Sequence, residues 1–341
     1  MSKIYYLIPD LYTKKKFSLK TFLRNILDGT ATKYIKRCFF TVHKPVGGIK
    51  VIYQHCLLLR ELGFDAYPVL MGNYKGNFFG YNVEYKTYAE VSASVQPNDI
   101  VVATEFAPYQ GLLFEKAHKV LFLQNWIGLR VRLDEDDKHK SYRDLGYDDV
   151  ITCSDYCSRY VKEHMGIEAK TITNGIDLEQ FKQIPTKRIN NRILAMSRKN
   201  PKDLEKIIQH LHNTSYEIKV VDGLTQAELI NEYQKADIFL ATGYPEGFSL
   251  PPIEAMACGC VVVGFTGGGG DEFMIPDETA LVAEDGDCET IIEKLHYLLT
   301  NSTEKEILRQ NGFRISQSYC LANTQLSLKQ FYEPIIQSKN Q

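Results

Sequence analysis

Short, nearly continuous apolar runs alternate with stretches of helical spacing along almost the whole chain, and the alternation breaks once and restarts. In the first half, strand-like runs fall at Cys38–Val42, Ala66–Met71, Asp99–Thr104, Val120–Leu123, Val150–Cys153 and Lys170–Thr173. Helical spacing falls at Lys50–Leu62, closing on Gly63, at Ala107–Lys116 and at Tyr156–Met165. Strands that are apolar throughout, rather than at alternate positions, are buried on both faces, as in a parallel sheet covered by helices. Asn174-Gly175 is a turn signal, and the polar stretch from Gln183 to Asn191, with Pro185, has no period. The pattern then resumes with strands at Ile193–Met196, Ile218–Val221, Ile238–Ala241 and Val261–Phe265. Helices precede His212 and cover Gln226–Lys235, Pro252–Ala257 and Glu289–Leu299.

Two such runs separated by a linker predict an α/β chain of two doubly wound, Rossmann-like domains facing each other across a cleft. The chain's 341 residues suit two domains of ~100–200 residues each. The expected boundaries are 1–183 for the first domain, with 1–37 as a basic N-terminal extension, and 192–318 for the second. A C-terminal helix within 319–341 is expected to return to the first domain. Ligands of such sheets bind beyond the carboxyl ends of the strands, so the shared cleft is the expected site.

The net charge of −2 gives no global field that would draw the chain to nucleic acid. Neither the Cys153/Cys157 nor the Cys258/Cys260 pair is followed by His at zinc-ligand spacing, and most of the eight cysteines sit in apolar runs. They read as buried reduced thiols of a cytoplasmic protein. The apolar stretch within Met1–Asp10 precedes Lys14, Lys15 and Lys16, the reverse of a signal peptide's order, and no run is long enough to span a bilayer. Within Phe17–Asp28, Leu19, Phe22, Leu23, Ile26 and Leu27 share one helical face. Lys14, Lys15, Lys16, Lys20, Arg24, Lys33, Lys36 and Arg37 crowd around it against one acid, Asp28. Peripheral contact with the inner face of an anionic membrane fits this pattern, and so does a helix lying on the domain with a solvated basic rim.

The stretch Asp237–Asp271 carries the chemistry. A strand ends at Thr242, the loop Gly243-Tyr244-Pro245-Glu246-Gly247-Phe248-Ser249-Leu250 follows, and Pro251-Pro252-Ile253-Glu254 opens a helix that Gly259 closes. Leu250 and Pro251 each precede a proline, so the helix is expected to start at Pro252. Its free amides and positive dipole end would face the loop that holds Glu246, a place suited to a diphosphate. The string EGFSLPPIEAMACGCVVV resembles the glutamate-x7-glutamate motif of retaining glycosyltransferases of family 4, which have the GT-B fold. Thr173-Asn174-Gly175-Ile176-Asp177, Ile193–Lys199, Gly47-Gly48 and Thr266-Gly267-Gly268 also resemble segments of that family, and the likeness spans roughly residues 38–299.

The resemblance implies a nucleotide-diphosphate sugar donor, most commonly a UDP-sugar, held in the second domain, and transfer of a hexose without metal or other cofactor. The acceptor would be a glycan or a lipid-linked molecule. Glu246 would hold donor-sugar hydroxyls and Glu254 the ribose, with the amides of Gly247, Phe248, Ser249 and Leu250 lining the donor site. Negative charge on the leaving diphosphate then needs fixed cations. Arg198 and Lys199 are the candidates, and Lys202 is the alternative. Gly47-Gly48 reads either as an ordinary strand-to-helix turn or as a close approach to phosphate. His43, Glu105 and Asn125 are the acceptor-side candidates. Asn125 stands where many family members carry histidine, and an amide is a poor proton acceptor. Asp134-Glu135-Asp136 matches the metal-binding Asp-x-Asp of the GT-A fold but reads more simply as a solvated loop. A nucleotide-sugar epimerase of the same fold and a non-catalytic sugar-nucleotide-binding subunit are the rival functions.

Overall fold

The structure, a computed structural model, describes residues 2–9, 17–27, 31–39, 47–72 and 80–339. Its strands are β1 (Lys3–Ile8), β2 (Asp65–Leu70), β3 (Lys86–Thr87), β4 (Ile100–Thr104), β5 (His118–Leu123), β6 (Asp149–Thr152), β7 (Lys170–Thr171), β8 (Arg192–Met196), β9 (Glu217–Val221), β10 (Ile238–Ala241), β11 (Val261–Phe265) and β12 (Ala280–Ala283). Its helices are α1 (Leu19–Leu27), α2 (Ala31–Phe39), α3 (Gly47–Glu61), α4 (Tyr88–Ser94), α5 (Pro108–Leu112), α6 (Asp155–Met165), α7 (Pro201–Leu211), α8 (Gln226–Lys235), α9 (Leu250–Ala257), α10 (Cys288–Thr300), α11 (Ser302–Ser316) and α12 (Leu321–Lys339).

The strands form two sheets, in the orders β3-β2-β1-β4-β5-β6-β7 and β12-β11-β10-β8-β9. Every pairing is parallel. The order reverses between β1 and β4 in the first sheet and between β10 and β8 in the second. A crevice opens at such a switch because the loops on its two sides leave toward opposite faces of the sheet. Glu105 follows β4, one switch-point strand of the first sheet. In the second, the strand ends at Met196 and Ala241 flank the switch.

The first sheet corrects the reading of the N-terminus. Residues 1–37 are not simply an extension, because Lys3–Ile8 is a strand in the middle of the sheet. Ile4 pairs with Ala66 on one side and Ile100 on the other. All residues from Ile4 to Ile8 are buried, as a strand covered on both faces requires. The β-rich run at Cys38–Val42 is also corrected. Cys38 and Phe39 close helix α2, and residues 40–42 lie outside the described residues. Helix α5 is shorter than the expected Ala107–Lys116.

Helix α12 lies against the first sheet's domain. The hydroxyls of Tyr6 and Tyr332 are 2.8 Å apart, Thr324 Oγ1 donates to the Thr173 carbonyl at 2.8 Å, and Gln325 donates to the Leu58 carbonyl at 3.2 Å. Around the second sheet, Asp237 at the foot of β10 takes Lys305 at 2.9 Å and Arg309 at 2.6 Å, tying α11 to the strand. One buried apolar cluster runs through the first domain and on to one face of the second sheet, and a second cluster fills the other face. Seven of the eight cysteines are buried and Cys320 is partly buried, and all are free thiols.

Candidate active site

At the switch point of the second sheet, β8 leads to Arg198-Lys199 and β10 to Thr242-Gly243, and all four line one cavity. Arg198, Lys199, Glu246, Ser249 and Pro252 are among its lining residues. The Lys199 ammonium lies 2.8 Å from Glu246 Oε1 and also donates to the Pro245 carbonyl at 2.8 Å. Arg198 is exposed at the rim and makes no ion pair among the described residues. The Glu246 main chain is clasped by the glycine loop. Its N–H donates to the Gly267 carbonyl at 2.8 Å, and its carbonyl accepts from Gly269 N at 3.1 Å. Gly267 and Gly268, at φ +64° and +86°, sit in the left-handed region that glycine adopts without penalty. Glu246 is therefore fixed at both backbone and carboxylate.

Helix α9 starts at Leu250, two residues earlier than expected. Prolines in a first helical turn lose no intrahelical bond, so the pre-proline preference yields there. This changes the count of free amides. The Leu250 N–H donates to the Phe248 carbonyl at 3.1 Å, so that amide is already used. The Phe248 side chain is buried between Phe273 and Tyr319, with ring centroids 5.5 and 5.8 Å away, and anchors the loop. Ser249 is buried and makes no side-chain cap bond. Lys202, exposed in the first turn of α7, is not among the cavity's lining residues.

The loop that carries Glu246 packs against the first domain. Ser154 Oγ donates to the Gly247 carbonyl at 2.6 Å. Gly247 lies flat on the Gln124-Asn125 backbone: a β-carbon there would overlap the Gln124 carbonyl and stand 2.8 Å from Asn125 Cα. Gly47 approaches the Leu250 side chain, and Gly48 approaches that of Gln124. Glu254, on α9, is largely buried and has a protein partner on each oxygen. It is 4% exposed, its Oε1 is 2.8 Å from Lys50 Nζ on α3, and its Oε2 accepts from the Tyr233 hydroxyl at 3.4 Å.

Glu105 is placed differently from a strand-end residue facing an acceptor, because it is fully buried. One carboxylate oxygen accepts from Gln124 N at 3.2 Å, and the other, Oε1, has no partner. Burial pushes its carboxyl up to about 8, against the pull of the nearby amides of Gln124, Glu105 and Asn125. The side chain props the Gln124–Asn125 turn from beneath. Asn125 Oδ1 caps the short 3₁₀ turn Trp126–Leu129 by accepting from Ile127 N at 3.1 Å. His43 lies outside the described residues. Glu135 and Asp136 are on an exposed 3₁₀ turn, and no group of three or more metal-ligating side chains occurs among the described residues.

Residues 177–314 match the family described as glycosyl transferases group 1. In solved structures, the Anabaena protein HepE in complex with UDP and glucose superimposes with a TM-score of 0.72 at 15% identity, covering 98% of this chain and all of that one. Sucrose-phosphate synthase from Thermosynechococcus elongatus superimposes with a TM-score of 0.67 at 13% identity, covering 99% and 100%. The fold is GT-B. Among characterised sequences, an α-1,6-glucosyltransferase of Actinobacillus pleuropneumoniae serotype 7 is 26% identical over 258 residues, 67% of this chain and 72% of that protein. Within this GT-B chain, the family match covers the loop of Glu246, helix α9 and the strand end at Arg198-Lys199.

The sequence reading missed Lys50, Tyr233 and Ser154. Each acquires its role from a partner far away in the chain.

Proposed function

We propose that the protein is a retaining glycosyltransferase that moves a hexose from a nucleotide-diphosphate sugar to a glycan or lipid-linked acceptor without metal. One observation carries the reading: Arg198, Lys199 and Glu246 converge at the β8–β10 switch point beside the N-terminus of α9. Bond breaking in the donor loads negative charge on the diphosphate. Arg198 and Lys199, with the helix end, would stabilise it, while Glu246 holds the sugar as positive charge develops on the ring. No side chain at the site stands out as an enzyme nucleophile, which suits a front-face route in which the departing phosphate helps deprotonate the acceptor. The likeness to HepE, solved with UDP and with UDP-glucose, favours a UDP-sugar donor.

Calorimetry with UDP and GDP in the presence of EDTA tests the reading. Metal-free binding of one of them is expected, and binding that needs a divalent ion would overturn it. Incubation with the sugar nucleotide alone separates the rival functions: slow release of free nucleotide marks a transferase, an epimerised donor an epimerase, and an unchanged donor a binding subunit.

An acceptor held in a membrane would fit the first domain's surface. Phe17, Leu19, Leu23 and Ile26 are all exposed around α1 in the basic N-terminal segment, and no described helix is long and apolar enough to cross a bilayer. We place the protein at the cytoplasmic face on this basis. Co-sedimentation with anionic but not neutral vesicles is the expected result, and equal or no pelleting removes the membrane contact.

A further inference from the structure

We propose that Lys50 is a positioning residue for the donor: from the first domain it holds Glu254 in place to receive the ribose hydroxyls. This inference rests on the donor site proposed above. Lys50 is in the first turn of α3, separated by Ile49 from Gly47-Gly48, and Glu254 is on α9 in the other domain, 204 positions along the chain. Their ion pair is 2.8 Å long and largely shielded, with side-chain exposures of 13% and 5%. The Lys50 ammonium also lies 5.2 Å from the centre of the Phe181 ring, which is buried in the segment joining the domains. The lysine is thus held from three sides: by its own helix, by the connecting segment and by the opposite domain.

The chemistry of the carboxylate sets the role. A carboxylate offers about four lone-pair positions on two oxygens. Lys50 occupies one on Oε1, and the buried Tyr233 hydroxyl reaches one on Oε2 from behind. That leaves an acceptor position on each oxygen, the number that two neighbouring hydroxyls of a ribose need. A buried carboxylate without its cation would be costly and would turn elsewhere. The ribose acceptor is therefore complete only when α3 and α9 meet, so nucleoside recognition depends on contact between the domains.

Calorimetry with UDP, repeated with GDP, on wild type, Lys50→Met, Lys50→Arg, Glu254→Gln and the Lys50→Met/Glu254→Gln double variant tests the idea. Lys50→Met should weaken UDP about 10–100-fold, the scale on which losing the partner that orients a binding group weakens a site. Lys50→Arg should recover most of that loss. The double variant should bind no more weakly than Glu254→Gln alone, and with both charges removed it guards against a folding defect. With the 2′,3′-dideoxynucleotide, Lys50→Met should match wild type. Equal losses for UDP and its dideoxy analogue would mean that Lys50 touches phosphate directly and would overturn the proposal, as would a double variant weaker than Glu254→Gln. If wild type binds UDP or GDP and Lys50→Met binds it equally well, only the role of Lys50 falls. If wild type binds neither, the donor site itself is wrong and this inference goes with it.

Discussion

Gly247 rests on the main chain of Gln124, with no room between them for a β-carbon. The loop that carries Glu246 and the segment just after strand β5 therefore touch backbone to backbone across the domain boundary. Gly247→Ala must move the loop that carries Glu246 or separate the domains. A displacement near 1 Å at a reacting centre can cost about 10²-fold in rate. Steady-state kinetics should show kcat/KM lowered by about that factor, and an unchanged value would mean that the contact does not set the loop's position.

Glu246 and Glu254 should fail in different ways. Glu246 faces the cavity beside Lys199, where a carboxylate can follow charge developing on the sugar. Glu246→Ala should reduce kcat by about 10²–10³, the scale for one preorganised electrostatic contact. Glu254, assigned to the ribose, makes contacts that differ little between ground and transition states, so Glu254→Ala should act mainly on the donor KM. NMR of the product anomer completes the experiment. Retention is expected, and inversion would overturn the proposed mechanism.

Glu105 gives the fold a pH signature. Its carboxyl is raised to about 8 in the native state, against ~4.3 in an unfolded chain. Between those values the native state keeps a proton that the unfolded state has released. Stability contributed by this group is thus full below pH ~4.3, declines as pH rises, and is gone above about 8. Glu105→Gln keeps the neutral shape and removes the titration. Denaturant melts from pH 5 to 8 should show wild type losing ground to the variant, by at most ~1.4 kcal/mol per pH unit. Parallel curves would show that Glu105 ionises normally.

Arg309 should matter to stability rather than to chemistry. Its guanidinium bonds the Asp237 carboxylate at 2.6 Å and the carbonyls of Asp237 and Gly259 at 3.2 and 2.5 Å, all in the interior. Arg309→Ala leaves Asp237 with Lys305 and the Gly259 carbonyl with Arg188, so the cost is that of the lost buried hydrogen bonds, about 1–3 kcal/mol. Urea unfolding should show the loss, and a change under 1 kcal/mol would mean that water replaces the guanidinium.

The reading from sequence succeeded where a segment's own residues decide its state. Gln226–Lys235, Ile238–Ala241 and Val261–Phe265 are found at the very bounds that their spacing implies. It failed where neighbours decide. Lys3–Ile8 is apolar enough for a central strand, but the lysines that follow it drew the whole stretch into a supposed surface extension. The aromatic run at Cys38-Phe39 looked like a strand, although it ends a helix. In the site, the strand end at Arg198-Lys199 and the Glu246 loop were legible because one continuous segment holds each. Lys50 was not, since nothing marks one lysine among many until a carboxylate 204 positions away comes to meet it. The burial of Glu105 likewise depends on Gln124 and on Gly128, whose missing side chain makes room for the Glu105 methylenes.

The seat of α12 on the first domain has a consequence for synthesis on the ribosome. Strands β1 to β7 emerge first, but the surface that Tyr332 covers beside Tyr6 waits for a helix at the far end of the described chain. At ~5–20 residues per second, that wait is on the order of ten seconds or more. The domain begun second, from β8 to α11, has all its strands out of the ribosome before the domain begun first receives its last helix. During that interval the nascent chain carries a finished second domain beside an unfinished first one, and the first domain is the one that would recruit chaperones.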